Sequence, residues 1–183
     1  MKEMKHFDIP LARRAALFFM ALLLAATYAL ADNPEENTYP TGERLFYISR
    51  SLNRNLVCYD ANLKDGKLDT HLPINAYWVN REEHPGETNA LSYFQKKMAY
   101  GYKLLAEGED CSEVSLTAYA GKTLKICLVD GKYVCTTTIN GKAAILQSIY
   151  VKSSKSNPLS VEYVELRGIS RDGGEPLTEK VSK

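Results

Sequence analysis

A turn between two strand-like segments carries polar side chains that could bind a ligand, and aromatic residues lie close by in the sequence. Arg50, Asn53 and Asn55 belong to this turn, and Tyr59 follows them. Amide and guanidinium groups bond hydroxyls or carboxylates, and aromatic rings stack on the apolar faces of sugars, so the pattern predicts a sugar or anion site. The alternative is structural: the asparagines would fix the turn, and Arg50 would pair with a carboxylate at the edge of the core.

Two adjacent aromatic residues, Tyr77 and Trp78, could provide a flat surface for the same ligand. The competing interpretation places them in the core, because a lone tryptophan in a strand is commonly buried and tyrosine suits strands in general. The candidate ligand-binding residues are therefore Arg50, Asn53, Asn55, Tyr59, Tyr77 and Trp78.

Histidine and carboxylate residues between positions 69 and 84 are the remaining candidates for acid–base chemistry. The set consists of Asp69, His71, Glu82, Glu83 and His84. The two histidines lie in separate predicted loops without the i, i+4 spacing of a zinc-binding helix, and no cysteine pair accompanies them, so we expect no metal site. A hydrolase that uses His71 or His84 with nearby carboxylates is the alternative to a binding function.

Other catalytic and cofactor motifs are missing from the sequence. It has no Gly-x-Ser-x-Gly motif and no glycine-rich phosphate loop. Cys111 is expected to be the best-exposed thiol, but its neighbour Asp110 would raise its pKa. Residues 60–66 depart from a calcium-binding loop because Lys64 occupies a ligand position. We therefore predict no catalytic residues and no cofactor.

The scaffold that positions these residues is clearest over residues 116–152. Asp130-Gly131 and Asn140-Gly141 separate β-rich segments, and such pairs supply the positive φ that two-residue hairpin turns need. The turns align three sets of residues on one face: Ile126, Cys135 and Leu146; Leu128, Tyr133 and Ser148; Leu124, Thr137 and Ala144. This mostly apolar face is expected to be buried. The preceding segment, with a turn at residues 120–122, is expected to bring Val114 and Leu116 to the opposite face.

The other strand-like segments are residues 44–51, 55–60, 75–80, 161–169 and 177–181. A short helix is predicted over about residues 89–100, with Asn89 as its cap and Leu91, Phe94 and Met98 on one face. These elements predict a mainly β fold, an antiparallel meander that forms a sandwich or open barrel of about eight strands with one short helix.

The N-terminal region has the pattern of a secretory signal. Basic residues precede an apolar run at residues 15–26, and the small-x-small sequence at 29–31 suits a signal peptidase. We expect a signal peptide at residues 1–31, a mobile leader at 32–43 and a single β-rich domain at 44–183. The alternative is an uncleaved membrane anchor, for which the apolar run is short, since a spanning helix needs about 20 residues.

Net charge limits the kinds of partner expected, and the cysteines can form disulfides if the protein is exported. Residues 1–31 hold four basic and two acidic residues, so 19 Lys and Arg and 20 Asp and Glu remain, a net charge of −1. A near-neutral chain without a basic block argues against nucleic acid as a partner. Export permits disulfides among Cys58, Cys111, Cys127 and Cys135, which allow three pairings. A Cys127–Cys135 bond would need a three-residue loop, and buried free thiols are the alternative.

Three segments together resemble a family of exported bacterial proteins, the domain of unknown function 4833. They are residues 45–60, Ala76-Tyr77-Trp78 and residues 98–102. The resemblance implies export, a single domain, and a bacterium with an outer membrane. It implies no activity and no catalytic residues.

These observations favour an exported, non-enzymatic β-domain, periplasmic or else extracellular, that binds a small ligand, a glycan or a cell-envelope partner. The partners expected are a glycan, a lipid or an envelope protein. We expect no membrane span after signal cleavage, because no second apolar run is long enough. A structural role, in which exposed sheet edges pair with another chain, is a further hypothesis.

Overall fold

A computed structural model of the chain describes residues 43–108, 111–157 and 160–182. The predicted signal peptide and residues 32–42 of the predicted leader lie outside the described residues. The described chain is mainly β with one short helical segment, which confirms the predicted fold class.

The strands are numbered in chain order. They are β1 (Arg44–Arg50), β2 (Asn53–Ala61), β3 (Leu63–Lys64), β4 (Lys67–Leu68), β5 (Ile74–Val79), β6 (Thr88–Ala90), β7 (Tyr102–Ala106), β8 (Cys111–Leu116), β9 (Tyr119–Val129), β10 (Lys132–Ile139), β11 (Lys142–Ser153), β12 (Val161–Ser170) and β13 (Pro176–Ser182). The helical segment comprises α1 (Tyr93–Gln95) and a π-helical turn (Lys96–Tyr100).

The longest strand, β11, organises the main sheet because it has three neighbours. One edge pairs with β12 along most of its length. The other edge is shared: β10 pairs antiparallel with residues 142–145, and β1 pairs parallel with residues 148–151. The sheet is therefore mixed, and the purely antiparallel meander predicted from the sequence is wrong at β1.

The shared edge divides the sheet into two arms that curl toward each other as a half-barrel. The first arm runs β1-β2-β5-β6 and the second runs β10-β9-β8-β7. Phe46 and Tyr59 from the first arm and Leu124 and Ile126 from the second belong to one buried cluster, so the core lies between the arms. Burial of such apolar side chains is the main favourable term in folding.

Both predicted hairpin turns are confirmed. Asp130 and Asn140 have φ values of 50° and 49°, and the glycine after each is also at positive φ, as two-residue turns require. The register pairs Ile126 with Cys135, as predicted. The predicted alignment of Ser148 with Tyr133 is wrong: Ser148 lies opposite Tyr47, because β1 has replaced β10 on that edge of β11.

The predicted inward face is buried over most of its length. Leu124, Ile126 and Leu146 are each at most 2% exposed. Leu128, beside the hairpin turn, is 54% exposed and is a departure from the prediction. Val114 pairs with Leu124 and shares its buried face, so the expectation that it points the other way is wrong.

That error has a local cause in the turn between β8 and β9. The turn lies at residues 117–118 rather than at 120–122, as expected from the sequence. The change in register places Leu116, like Val114, in the core. A shift of one residue exchanges the two faces of a strand, so the position of the turn decides which side chains are buried.

The helical segment begins later than predicted. Asn89 belongs to strand β6, and Ser92 caps the helix by accepting from the Gln95 N–H while the Gln95 side chain accepts from the Ser92 N–H. This reciprocal arrangement is a capping box. Phe94 and Met98, predicted to share a helix face with Leu91, are 54% and 60% exposed, whereas Leu91 is 4% exposed. Within the described ranges, neither helical element is long and apolar enough to cross a membrane.

The cysteines adopt a pairing that the sequence left open. Cys111 and Cys127 lie directly opposite each other on β8 and β9 and form a disulfide. Cys58 and Cys135 are free thiols and are both buried. The disulfide excludes the Cys127–Cys135 bond considered above and removes Cys111 as a free nucleophile.

Gly168 on β12 lies where the backbones of β11 and β12 approach closely. A methyl group there would overlap the Ile145 carbonyl oxygen and lie 3.0 Å from Ile139 Cδ1. We expect Gly168→Ala to lower the free energy of unfolding by about 1–3 kcal/mol, as overpacked cores do. Urea unfolding is the measurement. Gly121→Ala, where no atom lies within 4 Å of the added methyl group, is the control; equal losses would contradict this account.

Glu179 on the last strand joins that strand to the β10–β11 turn. Both carboxylate oxygens lie 2.8 Å from Lys122 Nζ, and one accepts the Asn140 N–H at 2.7 Å. The Lys122 hydrogen bond, with help from Asn140, lowers the pKa of Glu179 below 4.5 despite opposing desolvation. The charged form is therefore favoured in the folded state.

A carboxyl group whose pKa is lower in the folded than in the unfolded chain stabilises the fold at pH values above its unfolded-state pKa. That stabilisation is lost as the pH falls through its folded-state pKa. We expect Glu179→Gln to cost about 1 kcal/mol or less at pH 7, as partly exposed ion pairs do. The difference between variant and parent should shrink as pH falls below about 4.5. Urea unfolding at several pH values checks this, with exposed Glu162→Gln as control; a difference independent of pH would refute it.

Candidate functional site

A polar cluster lies on the outer face of the first arm, opposite the main core. Successive residues of a strand point to opposite faces. On β2, Val57 and Tyr59 therefore point into the core, whereas Leu56 and Cys58 belong to a smaller buried cluster on the other side. Asp60 continues this outer row and is 8% exposed.

Arg44 is the centre of the cluster. Its Nε donates to Asp60 Oδ1, Nη1 donates to Cys58 Sγ at 2.9 Å, and Nη2 donates to Tyr77 Oη at 3.1 Å. The Tyr77 hydroxyl in turn donates to Asp60 Oδ2 at 2.5 Å. Both Asp60 oxygens are thus bonded. The strand register explains the meeting: Arg44 lies opposite Asp60, and Cys58 lies opposite Tyr77.

The electrostatics of the cluster favour a charged Arg44 and a neutral thiol. Burial opposes the charge on Arg44, but the Asp60 carboxylate, through its hydrogen bond and its negative charge, outweighs burial and raises the pKa of Arg44. Burial raises the pKa of Cys58, and the nearby guanidinium offsets only part of that rise. A thiol with a raised pKa and no exposed surface is a poor nucleophile.

A shallow, open pocket of about 500 Å³ adjoins this cluster. Its walls come from β2, β5, β6 and the helical segment: Asp60, Asn75, Ala76, Tyr77, Thr88, Asn89, Ala90 and Lys96. Strand β6 is short and pairs only with Tyr77–Val79, so among the described residues Asn75 and Ala76 have no strand partner on that side. The pocket lies at this uncovered part of the sheet edge.

Residues of several hydrogen-bonding types line the pocket: Asn75 and Tyr77 lie on one face of β5, whereas Asn89, which pairs with Trp78, lies on the other face. Asn75 and Asn89 carry amides, Thr88 carries a hydroxyl and Lys96 carries an ammonium group, and all four residues are exposed. Amides and hydroxyls both donate and accept hydrogen bonds, and the ammonium group donates three. The Tyr77 side chain adds an aromatic surface. Such a set can bind a ligand rich in hydroxyl groups.

Three of the six predicted ligand-binding residues converge on Tyr100 at the end of the helical segment. Arg50 Nη1 donates to Tyr100 Oη at 3.1 Å, and the Tyr59 hydroxyl donates to the Tyr100 carbonyl at 2.9 Å. The Trp78 ring meets the Tyr100 ring edge-on at 5.2 Å. Tyr59 has no exposed surface, and burial raises its pKa well above the usual value. Together these contacts anchor the helical segment.

The side chains of the two predicted asparagines accept hydrogen bonds from backbone N–H groups. Asn53 Oδ1 accepts the Asn55 N–H at 2.9 Å, and Asn55 Oδ1 accepts the Arg81 N–H at 3.0 Å. The first bond is an asparagine turn of the kind considered as the structural alternative. Of the six predicted residues, Tyr77 is the one that lines the pocket.

Most residues that line the pocket were not predicted from the sequence, although the alternation of residues along β2 and β5 indicates part of the lining. Asp60 lies two residues after Cys58 and four after Leu56, which places all three on one strand face. Asn75, Tyr77 and Val79 show the same alternation on β5. The two rows are distant in sequence, and only the pairing of β2 with β5 brings them together.

Comparison with family models identifies the chain. A model described as a domain of unknown function (DUF4833) matches residues 46–180. The protein belongs to the DUF4833 family. The resemblance inferred from the sequence is thereby confirmed. No curated protein and no solved structure matches the chain.

All pocket residues of this DUF4833 protein fall inside the matched segment, whereas Arg44 lies two residues before it. The predicted histidine and carboxylate set lies elsewhere. His71 Nδ1 lies 3.0 Å from Glu107 Oε2, and the His71 side chain is 80% exposed. His84 is exposed in the β5–β6 loop. Across the described residues, no group of three or more His, Cys, Asp and Glu side chains could hold a metal ion.

The Arg44–Asp60 pair is largely shielded from water, with side chains 17% and 11% exposed. Removal of one partner of a buried pair leaves the other charge uncompensated. We therefore expect Asp60→Ala to lower the free energy of unfolding by about 3 kcal/mol, measured by urea unfolding. Arg44→Met combined with Asp60→Leu should recover much of that loss.

Glu82→Ala is the matched control, because it removes the carboxylate of an exposed pair with Arg54 at 3.5 Å. Its cost should stay below about 0.5 kcal/mol. If Asp60→Ala is no more costly than Glu82→Ala, the cluster does not have the stabilising role described here.

Proposed function

We propose that this DUF4833 protein is an exported, non-enzymatic β-domain that binds a hydroxyl-rich small ligand, with a glycan as the favoured class. The observation that carries the proposal is the pocket beside Asp60. Residues with amide, hydroxyl, ammonium and aromatic side chains line it, from β5, β6 and the helical segment. Its volume of about 500 Å³ falls among those of ligand sites, roughly 300–1,000 Å³.

Glycan chemistry suits this lining better than that of an apolar ligand. Sugar hydroxyls both donate and accept, and Asn75, Thr88 and Asn89 can do the same. The Tyr77 ring, held by its hydroxyl contacts with Arg44 and Asp60, supplies a partly exposed surface for the apolar face of a sugar. A fixed ring loses little conformational freedom on binding, which favours affinity.

The bonding of Asp60 supports binding rather than catalysis. Its two oxygens already accept from Arg44 and Tyr77, so neither is held ready to take a proton from a substrate. Cys58, the thiol of the Arg44 cluster, is buried and has a raised pKa. The cluster therefore acts in the proposal as a rigid wall that orients Tyr77.

Export rests on the secretory pattern of residues 1–31 and gains support from the disulfide. A bond between Cys111 and Cys127 persists in an oxidising compartment such as the periplasm or the extracellular space. In the proposal the domain meets its ligand outside the cytoplasm, in the periplasm by preference.

A hydrolase is the second candidate, and the His71–Glu107 contact is the observation in its favour. A carboxylate bonded to one imidazole nitrogen can orient the ring and raise its basicity. The contact lies on an open surface, which lacks the water exclusion that strengthens catalytic electrostatics. Turnover of any envelope glycan or peptide that is lost in a His71→Ala, His84→Ala double variant would favour the hydrolase over the binding domain.

Glycan-array screening followed by calorimetry tests the binding site. We expect the parent protein to bind at least one glycan class, and Asn75→Ala and Asn89→Ala each to weaken that binding about tenfold, the equivalent of one lost hydrogen bond of about 1.4 kcal/mol. Asn53→Ala, at the turn predicted from the sequence, is the matched control and should bind like the parent.

Two outcomes would contradict the proposal. One is loss of binding in Asn53→Ala with full binding in Asn75→Ala and Asn89→Ala, which would place the site at the β1–β2 turn. The other is an empty array together with no bound small molecule detected by mass spectrometry of the purified protein.

A further inference from the structure

A small apolar surface protrudes from the helical segment between β6 and β7. Tyr93, Phe94 and Met98 are 79%, 54% and 60% exposed. Large apolar side chains at this level of exposure, grouped within six residues, mark an interaction surface more often than scattered single residues do. We call these three side chains, together with Lys96 and Lys97, the protruding turn.

The protruding turn is held rigidly at both ends. Leu91 before it and Tyr100 after it are 4% and 8% exposed. The Ser92–Gln95 capping box fixes its first turn, and the Gly101 N–H donates to the Lys96 carbonyl at 2.9 Å to close the last. The exposed side chains are therefore presented by an ordered backbone rather than by a loose loop.

The segment that carries the protruding turn, between Glu87 and Glu107, has charges of one sign. Residues 89–106 contain Lys96, Lys97 and Lys103 and no aspartate or glutamate, in a chain whose overall charge is close to zero. All three lysines are exposed. Asp60 lines the pocket with Lys96, but Asp60 is largely buried and bonded to Arg44 and Tyr77. The segment of the protruding turn thus carries a net positive charge.

We propose that the protruding turn docks the domain onto an anionic lipid surface. Tyr and Phe rings favour the level of the lipid headgroups, Met is adaptable, and Lys stems can lie along the bilayer while their ammonium groups bond phosphates. Positive charge complements the anionic headgroups and adds about fivefold in affinity per lysine. A stable protein interface needs about 800 Å² from each partner, more than three side chains provide.

Docking of this kind would also set the orientation of the domain. Lys96 belongs both to the protruding turn and to the lining of the pocket beside Asp60. A membrane contact through Lys96 therefore places the mouth of that pocket next to the lipid surface. The docking itself does not depend on what the pocket binds.

Co-sedimentation with lipid vesicles tests the proposal. The exported and processed protein would be mixed with vesicles of phosphatidylcholine alone or with one-third phosphatidylglycerol, at low and high salt. We expect binding to the anionic vesicles, at least tenfold weaker binding to the neutral ones, and a decrease with salt. Phe94→Ser with Met98→Ser, and separately Lys96→Ala with Lys97→Ala, should each reduce binding at least tenfold.

The matched controls make the same types of substitution at exposed positions outside the protruding turn. Leu72→Ser alters a side chain that is 62% exposed in a different loop, and Lys64→Ala with Lys67→Ala removes two exposed lysines from β3 and β4. Both should bind like the parent. Equal losses in the controls, or equal binding to neutral and anionic vesicles, would overturn the proposal.

A second copy of the chain is the competing occupant. Sedimentation velocity of the same proteins decides this case. A dimer that Phe94→Ser with Met98→Ser abolishes, combined with no binding to anionic vesicles, would assign the protruding turn to self-association and overturn the lipid proposal.

Discussion

The fold depends on one constraint: two strands share a single edge of β11. Because β10 pairs with residues 142–145 and β1 with residues 148–151, the sheet must divide between them. A bulge against β12 lies at the same place, between Leu146 and Ser148, and lets the side chains change phase there. Leu146, Ser148 and Ile149 can then all be buried while Gln147 is exposed.

This division gives the first arm two different faces. Its inner face closes the main core with Phe46 and Tyr59, whose rings stack at 4.4 Å. Its outer face is not covered by the second arm, and the Arg44 cluster and the pocket lie there. The strand alternation that buries Tyr59 is thus the same alternation that places Asp60 beside Tyr77.

Local signals in the sequence predict the two hairpins correctly, but they do not predict how the strands pair to form the two arms. Asp130-Gly131 and Asn140-Gly141 specify their turns through backbone φ alone, so pairing within two hairpins followed from four residues. The parallel pairing of Tyr47 with Ser148 joins segments about a hundred residues apart, and no turn residue encodes it. The cap predicted was Asn89, whereas the Ser92-x-x-Gln95 spacing three residues later is that of the capping box in the structure.

The pocket beside Asp60 is not readable from local sequence for the same reason. Its residues come from β2, β5, β6 and the helical segment, and only the register of those strands brings them together. The β1–β2 turn looked like a site because its polar and aromatic residues are close in sequence. In the structure, Asn53 Oδ1 accepts the Asn55 N–H and Asn55 Oδ1 accepts the Arg81 N–H, so both side chains bond backbone groups.

Tyr100 shows what three of the predicted site residues do in the fold. Arg50, Tyr59 and Trp78 hold it from three directions, through its hydroxyl, its carbonyl and its ring. With Tyr100 fixed, the segment that ends there is held in place, and its last turn closes through the Gly101 N–H on the Lys96 carbonyl, which a side chain at residue 101 would overlap. The residues chosen as ligand contacts thus support both the wall of the pocket at Lys96 and the exposed positions of Phe94 and Met98.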